Sequence, residues 1–284
     1  MGLSAMTLPH EIPLSPECYE FIASVVYEHS RIRLGKDKQT LLTGRLSKRL
    51  RELRLSSYEE YCELLRSPKG QAELSPLVDL ISTNHTHFFR ESSHLDFLRD
   101  HILPEFIAKN RSGEAFRVWS AACSSGEEPY TVAIVLAEYF LRHSERAWEI
   151  EATDISTRIL AQAKQGIYRK DRVSLPDTAL LHRYFQRGLG EYEDYYRVKD
   201  SLRAKVKFKH ANLLHSPYPV AASQHVIFCR NVMIYFDHKT QQELVEKLIA
   251  QLAPGGYLIV GHSESLLSVK HGLKPMCPAV YHLG

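Results

Sequence analysis

The sequence predicts an α/β fold: a mainly parallel sheet with helices on both faces, interrupted by a small antiparallel β-element and preceded by an all-helical N-terminal domain. Three observations carry this reading. Residues 17–82 show helical apolar spacing and no strand signal. From Phe116 onward, short strand-like runs alternate with amphipathic helices, the pattern of βαβ units. One segment, "LLHRYFQRGLGEYEDYYRVKD", breaks the alternation with a Gly188-x-Gly190 turn between aromatic-rich runs.

Taken in order, "PECYEFIASVVYEHS" puts Phe21, Val25 and Val26 on one helical side. "LLTGRLSKRLRELRL" lines Leu42, Leu46, Leu50 and Leu53 along one stripe and leaves Arg45, Lys48, Arg51 and Arg54 outside it. "SSYEEYCELLRS" opens on a capping-box pair, Ser57 and Glu60, and "ELSPLVDLIST" makes a fourth helix. The α/β region starts with strand "FRVWSAA" and helix "EEPYTVAIVLAEYFLRH", with Pro129 allowed in its first turn. Strand "WEIEATD" leads into helix "ISTRILAQAKQG", closed by Gly166. After the inserted hairpin come strands "KVKFKHANLL" and "HVIFCRN", then a helix from "HKTQQ" to Pro254-Gly255-Gly256, then strand "YLIVGHSES". The tail "LKPMCPAVYHLG" adds antiparallel edge strands. The domains expected are a disordered N-terminus at 1–15, a helical domain at 16–83, a linker at 84–91 and the α/β domain at 92–284, its β-insert at about 180–205.

The 44% hydrophobic content of this 284-residue chain supports a real core. No apolar run approaches the roughly 20 residues needed to cross a bilayer. The start "MGLSAMTLPHEIPLSPE" has neither the basic-then-apolar order of a signal peptide nor, with Met6, a myristoylation motif. Five scattered cysteines without a CxxC pair argue against a disulfide framework or zinc site and for a reducing cytoplasm. His85 and His87 in "NHTHFF" lack a second ligand cluster and read as polar loop residues, so no metal is expected. The net charge of +3 conceals an asymmetry: nine lysines and arginines between Arg31 and Leu55 face only Asp37 and Glu52. That clustering indicates a partner surface, or alternatively an ordinary solvated face. It lacks the interleaved aromatics of a nucleic-acid platform, and no nucleic-acid partner is expected.

In an open parallel sheet, ligands bind beyond the carboxyl ends of the strands. After the first strand, "SAACSSGEEPY" offers small residues and a helix start, yet Glu127 and Glu128 disfavour an anionic pyrophosphate. A cationic or amino-bearing ligand fits better; the alternative is plain capping by acids. Asp154 after the second strand suits the two hydroxyls of a ribose, or the N-cap of the next helix. Asn212 follows the third strand, and Arg230-Asn231 follow the fourth between two apolar patches. Burying such groups without partners costs roughly 2–7 kcal/mol even for a neutral amide, so they must bind something. Together these residues suggest a nucleoside-containing ligand without a pyrophosphate. No GxGxxG follows the first strand, which disfavours nicotinamide-dependent redox chemistry.

The strings "ISTNHTHFFRE", "RVWSAACSSGEEPYTVAI", "ATDIS", "IFCRNVMIYFD" and "LAPGGYLIVGHSES", in this order, resemble the chemotaxis receptor glutamate methyltransferases of the CheR family over roughly residues 15–284. The resemblance implies a Rossmann-like class I methyltransferase sheet and the cofactor S-adenosylmethionine, with S-adenosylhomocysteine as product. It implies cofactor contacts from Asn84, Thr86, Arg90, Glu128, Asp154, Asn212, Leu213, Arg230 and Asn231. The implied substrate is a set of glutamates on the helical cytoplasmic bundle of chemoreceptors, with Arg45, Lys48, Arg49, Arg51 and Arg54 reading the receptor. A carboxylate is ionised at neutral pH, so its methylation needs alignment rather than a strong base. Arg90 and Tyr235 are the residues expected to orient it, Tyr235 being alternatively a core aromatic and Arg90 a surface ion pair. Members that tether to a receptor C-terminal pentapeptide resemble the inserted hairpin, but Asp194 stands where a further glycine is expected. Rival readings are a methyltransferase for RNA or a small molecule, and a non-catalytic module that senses S-adenosylmethionine.

Overall fold

The computed structural model describes residues 13–35, 38–82, 84–109, 113–143 and 146–284. Residues 1–12 of the expected disordered N-terminus, and Lys36 and Asp37 of the basic stretch, lie outside the described residues. The chain divides into two compact units, one of residues 1–83 with 235–237 and one of 84–234 with 238–284. Ordered structure begins before the expected residue 16: Leu14 is buried, and the Ser15 hydroxyl accepts the Cys18 N–H to cap the first helix.

The first unit contains helices α1 (Pro16–Ser30), α2 (Gln39–Leu53), α3 (Tyr58–Arg66) and α4 (Gly70–Ile81). Leu42, Leu46 and Leu50 of the α2 stripe pack with Ile22, Val26, Tyr58, Tyr61 and Leu77 in a single core. Ser57 caps α3 by accepting the Glu60 N–H, and the Glu60 carboxylate reaches back to the backbone of both Ser56 and Ser57. Tyr235–Asp237 join this unit: the Tyr235 carbonyl accepts the Arg33 N–H, and Asp237 accepts the Tyr27 hydroxyl at 2.5 Å. Within the core, Glu73 receives Arg49 through two bonds of 2.8 and 2.7 Å and the Tyr61 hydroxyl at 3.0 Å. Removing one member of such a cluster strands the others. Glu73→Ala is therefore expected to cost about 2–4 kcal/mol of stability. A thermal-unfolding midpoint equal to that of the wild type would contradict this.

The second unit opens with α5 (Ser92–Phe97), which runs through one π-helical stretch at Leu98–Ile102 into α6 (Leu103–Lys109). Then follow β1 (Phe116–Ala121), α7 (Glu127–Phe140), β2 (Trp148–Asp154) and α8 (Thr157–Gln165). The β-insert holds β3 (Ile167–Arg169), α9 (Thr178–Tyr184), β4 (Phe185–Arg187) and β5 (Tyr195–Val198). The remainder is α10 (Asp200–Arg203), β6 (Val206–His210), β7 (Gln224–Cys229), α11 (His238–Ile249), β8 (Leu252–Val260), β9 (Lys274–Cys277) and β10 (Val280–His282). The main sheet has the order β6-β2-β1-β7-β8-β10-β9, parallel up to β8 and antiparallel at the β10 and β9 edge. This is the expected α/β architecture. No described helix is long and apolar enough to cross a membrane.

Two details depart from expectation. The insert is a three-stranded antiparallel sheet, β3-β5-β4, rather than a hairpin, and it starts at Ile167 rather than near 180. Gly166, at φ 62°, caps α8 and turns the chain straight into β3, a strand too short to show alternation. Pro254-Gly255-Gly256 does not end α11; it lies inside β8, where the pairing with β7 shifts register between Gln224 and Val226.

Candidate cofactor-binding site

Strand β1 is flanked by β2 on one side and β7 on the other, so the sheet's topological switch lies there. The strand ends are level. Ala121 pairs with Thr153, and Cys229 pairs with Val260 of β8. Whatever follows these strands meets beyond one edge.

After β1 the chain coils tightly, with Ala122 (φ 64°), Ser124 (φ 51°) and Gly126 (φ 96°) all left-handed. Left-handed Ala and Ser are costly, and such strain persists only where surrounding bonds enforce it. Here the Cys123 N–H donates to the Thr153 carbonyl, and the Ser124 N–H donates to Asp154 Oδ2 at 2.8 Å. A Cβ on Gly126 would lie 2.9 Å from the Tyr168 hydroxyl and 3.0 Å from Ala163 Cβ, so this turn requires glycine. Asp154 Oδ1 also accepts the Ser156 N–H, while Ser156 itself caps α8. The capping alternative for Asp154 thus fails; the carboxylate braces two loops at the crevice.

At the start of α7, Glu127 is buried and accepts from Ser125 Oγ at 2.6 Å and Arg172 at 3.4 Å. Arg172 also donates to the Thr86 carbonyl, tying the segment after residue 83 to this helix. Glu128 accepts from Ser120 Oγ at 2.7 Å and from Arg230 Nη1 at 3.1 Å. Burial pushes both glutamates above the ordinary carboxylate value, and Arg230 pulls Glu128 part of the way back.

Arg230 is the hub. Its side chain is only 3% exposed and bonds Glu128 on one side and Glu91 Oε2 on the other, at 3.2 and 3.1 Å; it also donates to the Arg90 carbonyl at 2.5 Å. Glu91 completes the junction by accepting from Asn231 Nδ2 and from the His262 N–H, both at 3.3 Å. Burial alone would raise the Glu91 carboxyl, but Arg230 outweighs it and holds it below its ordinary value. The cost of burying Arg230 is thus met by two carboxylates and a carbonyl, all from the protein itself.

Of the remaining expected cofactor residues, Asn212 follows β6 and its Oδ1 accepts the Leu214 N–H, while Leu213 is buried. Thr86 is buried and Asn84 half-buried. Arg90 is half-buried, donates to the His85 carbonyl at 2.8 Å, and sits between two left-handed residues, Phe89 (φ 56°) and Glu91 (φ 53°). Tyr235 is grouped with the helical unit. Two acids were missed at the sequence level, Glu91 and Glu264. Each is a charged residue beside an apolar run, the signal that singled out Arg230.

Glu91, His94 and His262 form a trio of possible metal ligands within 4.8 Å of one another. Burial first, and then Arg230, push His94 down to about 4, so its ring is neutral. Glu91 is already bonded to Arg230 and Asn231. A dication placed there would stand against a fixed guanidinium, and the trio reads as part of the Arg230 junction.

The basic residues of α2 separate into two groups. Arg45 donates to the carbonyls of Leu80, Ile81 and Ser82 at the end of α4, and Arg49 is held by Glu73 and Glu52. Lys48, Arg51 and Arg54 are exposed. In the insert, a Cβ on Gly188 would lie 1.9 Å from the Tyr192 carbonyl oxygen, so the turn requires glycine. Leu189 and Tyr192 are exposed at its tip, as is Asp194.

Residues 84–280 match the family described as CheR methyltransferase, SAM binding domain, and residues 17–82 match CheR methyltransferase, all-alpha domain. The chain is 40% identical to a chemotaxis protein methyltransferase of Borreliella burgdorferi, over 92% of each chain. It is 38% identical to the chemotaxis protein methyltransferase of Escherichia coli, over 98% of this chain and 94% of that one. With chemotaxis protein methyltransferase 2 of Pseudomonas aeruginosa it shares 38% identity over 95% and 94%.

Proposed function

Because the chain belongs to the CheR methyltransferase family, we propose that it methylates glutamate side chains of chemoreceptors, forming glutamyl methyl esters at the cytoplasmic helical bundle. Its cofactor is S-adenosylmethionine, which supplies a methyl group carried on a sulfonium. The observation that carries the reading is the crevice beyond β1, β2 and β7, which is acidic where a nucleotide-phosphate site would be rich in unopposed N–H groups. Its donor set fits the cofactor. Asp154, at the end of β2, is the proposed acceptor for the ribose hydroxyls. Glu128, whose charge is shared with Arg230, and Asn84, Thr86, Arg90, Asn212, Leu213, Arg230 and Asn231 complete the proposed contacts.

The residues do little proton chemistry. A substrate glutamate arrives ionised, and what it needs is a fixed direction and exclusion of water. Arg90 orients that carboxylate by a charge-assisted bond, and Tyr235 is proposed to assist through its hydroxyl. The exposed Lys48, Arg51 and Arg54 are proposed to meet acidic receptor helices, whereas Arg45 and Arg49 serve the helical unit's own structure. Reversing Lys48, Arg51 and Arg54 to Glu is expected to raise the KM for receptor about tenfold or more at low salt, with S-adenosylmethionine affinity unchanged. Steady-state kinetics at two salt concentrations checks this, and an unchanged KM would return α2 to an ordinary solvated face. Tethering to a receptor C-terminal peptide by the insert would have to accommodate Asp194 in place of the expected glycine.

The function itself is tested by incubating the protein with methyl-labelled S-adenosylmethionine and a receptor cytoplasmic fragment. Label on the receptor supports the reading. Label taken up only by RNA or a small molecule would favour the rival methyltransferase.

A further inference from the structure

Glu264 lies just beyond β8 and is only 8% exposed. Its Oε2 accepts the backbone N–H groups of Gly261 at 2.6 Å and Asn231 at 2.7 Å. Its Oε1 accepts those of Met233 at 2.7 Å and Ile234 at 3.4 Å. The turn after β7 is thus wound around a carboxylate supplied by the turn after β8, a protein-made version of an anion-binding nest. Asn231 is left-handed in this turn, at φ 58°, and its side-chain amide is held from the other side by Glu91 Oε1. Gly261 makes room for the arrangement: a Cβ there would lie 2.5 Å from Asn231 Nδ2 and 2.8 Å from Glu264 Oε2.

The geometry assigns Glu264 a positioning role: it fixes the Arg230-Asn231 turn so that the Asn231 amide faces the cofactor. This rests on the reading that Asn231 contacts S-adenosylmethionine. Only a carboxylate satisfies the set, because both of its oxygens accept. In a glutamine one of them becomes an amide NH2 group that faces N–H donors, so bonds are lost and donors oppose one another whichever way the amide turns. The charge also makes these bonds stronger than neutral ones, which suits a residue that holds a left-handed turn.

The test is a double-mutant cycle on S-adenosylhomocysteine affinity, measured by calorimetry on the full chain. Asn231→Gly removes the amide while keeping a residue that tolerates the left-handed backbone. Glu264→Gln and Asn231→Gly are each expected to weaken binding roughly tenfold, and the double variant to be no weaker than the weaker single one. If Glu264→Gln binds like the wild type, or if the two losses multiply, Glu264 does not act through Asn231 and the inference fails. If Asn231→Gly binds like the wild type, the underlying assignment of Asn231 fails instead. Should Glu264→Gln not fold, Gly261→Ala takes its place in the cycle. It crowds the amide without altering any charge, and the same non-multiplying loss is expected.

Discussion

Replacing Arg90 by alanine is expected to lower methyl transfer by about 100-fold or more, while S-adenosylhomocysteine affinity falls by less than about tenfold. The asymmetry follows from how Arg90 is held. Its backbone is fixed by left-handed neighbours on both sides, and its carbonyl is clamped by Arg230. Its guanidinium, by contrast, is bonded among the described residues only to the His85 carbonyl. Truncation therefore leaves the Arg230 junction intact and removes the proposed aligning group. Arg90→Lys keeps the charge but not the planar fork, and intermediate turnover is expected. Calorimetry and initial rates on the same preparations separate the two effects. Wild-type turnover in Arg90→Ala would remove the residue from the mechanism.

The second large effect is on stability. Arg230→Met strands Glu91 and Glu128 in a poorly solvated site, at a cost of about 3–5 kcal/mol. The loss should depend on pH. In the wild type, Glu91 titrates below its ordinary value of 4.5, so its contribution is present above that value and lost as pH falls through the lower folded one. Without Arg230, burial and mutual repulsion raise both carboxyls in the folded state. The variant then loses stability as pH rises past the unfolded carboxylate value. Its deficit against wild type should be larger near pH 7 than near about pH 5, as read by thermal unfolding at both. A deficit constant over that range would mean that the two acids are not what Arg230 holds.

Local chemistry was legible wherever one segment decided its own structure. The first helix and the second strand run over the residues their patterns indicated, Pro16–Ser30 and Trp148–Asp154, and Gly166 closes α8 in the left-handed region. The meeting of Glu128 with Arg230 beyond the sheet edge was foreshadowed by knowing where parallel strands end. What escaped depends on distant partners. β3 is three residues long and exists because β5 pairs with it. The Pro254-Gly255-Gly256 run looks like a helix stop, yet β7 draws it into the sheet. Arg45 and Arg49 look like free basic residues on a helical wheel, and only the approach of α4 and Glu73 shows them engaged. Glu91 and Glu264 each stand near an apolar run, as Arg230 does, but the residues they organise across the crevice are far from them in sequence.

The most direct test of the central claim is the alkaline lability of the methyl group transferred from S-adenosylmethionine to a chemoreceptor cytoplasmic fragment. A glutamyl methyl ester predicts label released as methanol by mild base, and no label when the target glutamates are replaced by alanine. Label that survives base, or its failure to reach the receptor although S-adenosylmethionine binds, would contradict glutamate esterification as the reaction of this site.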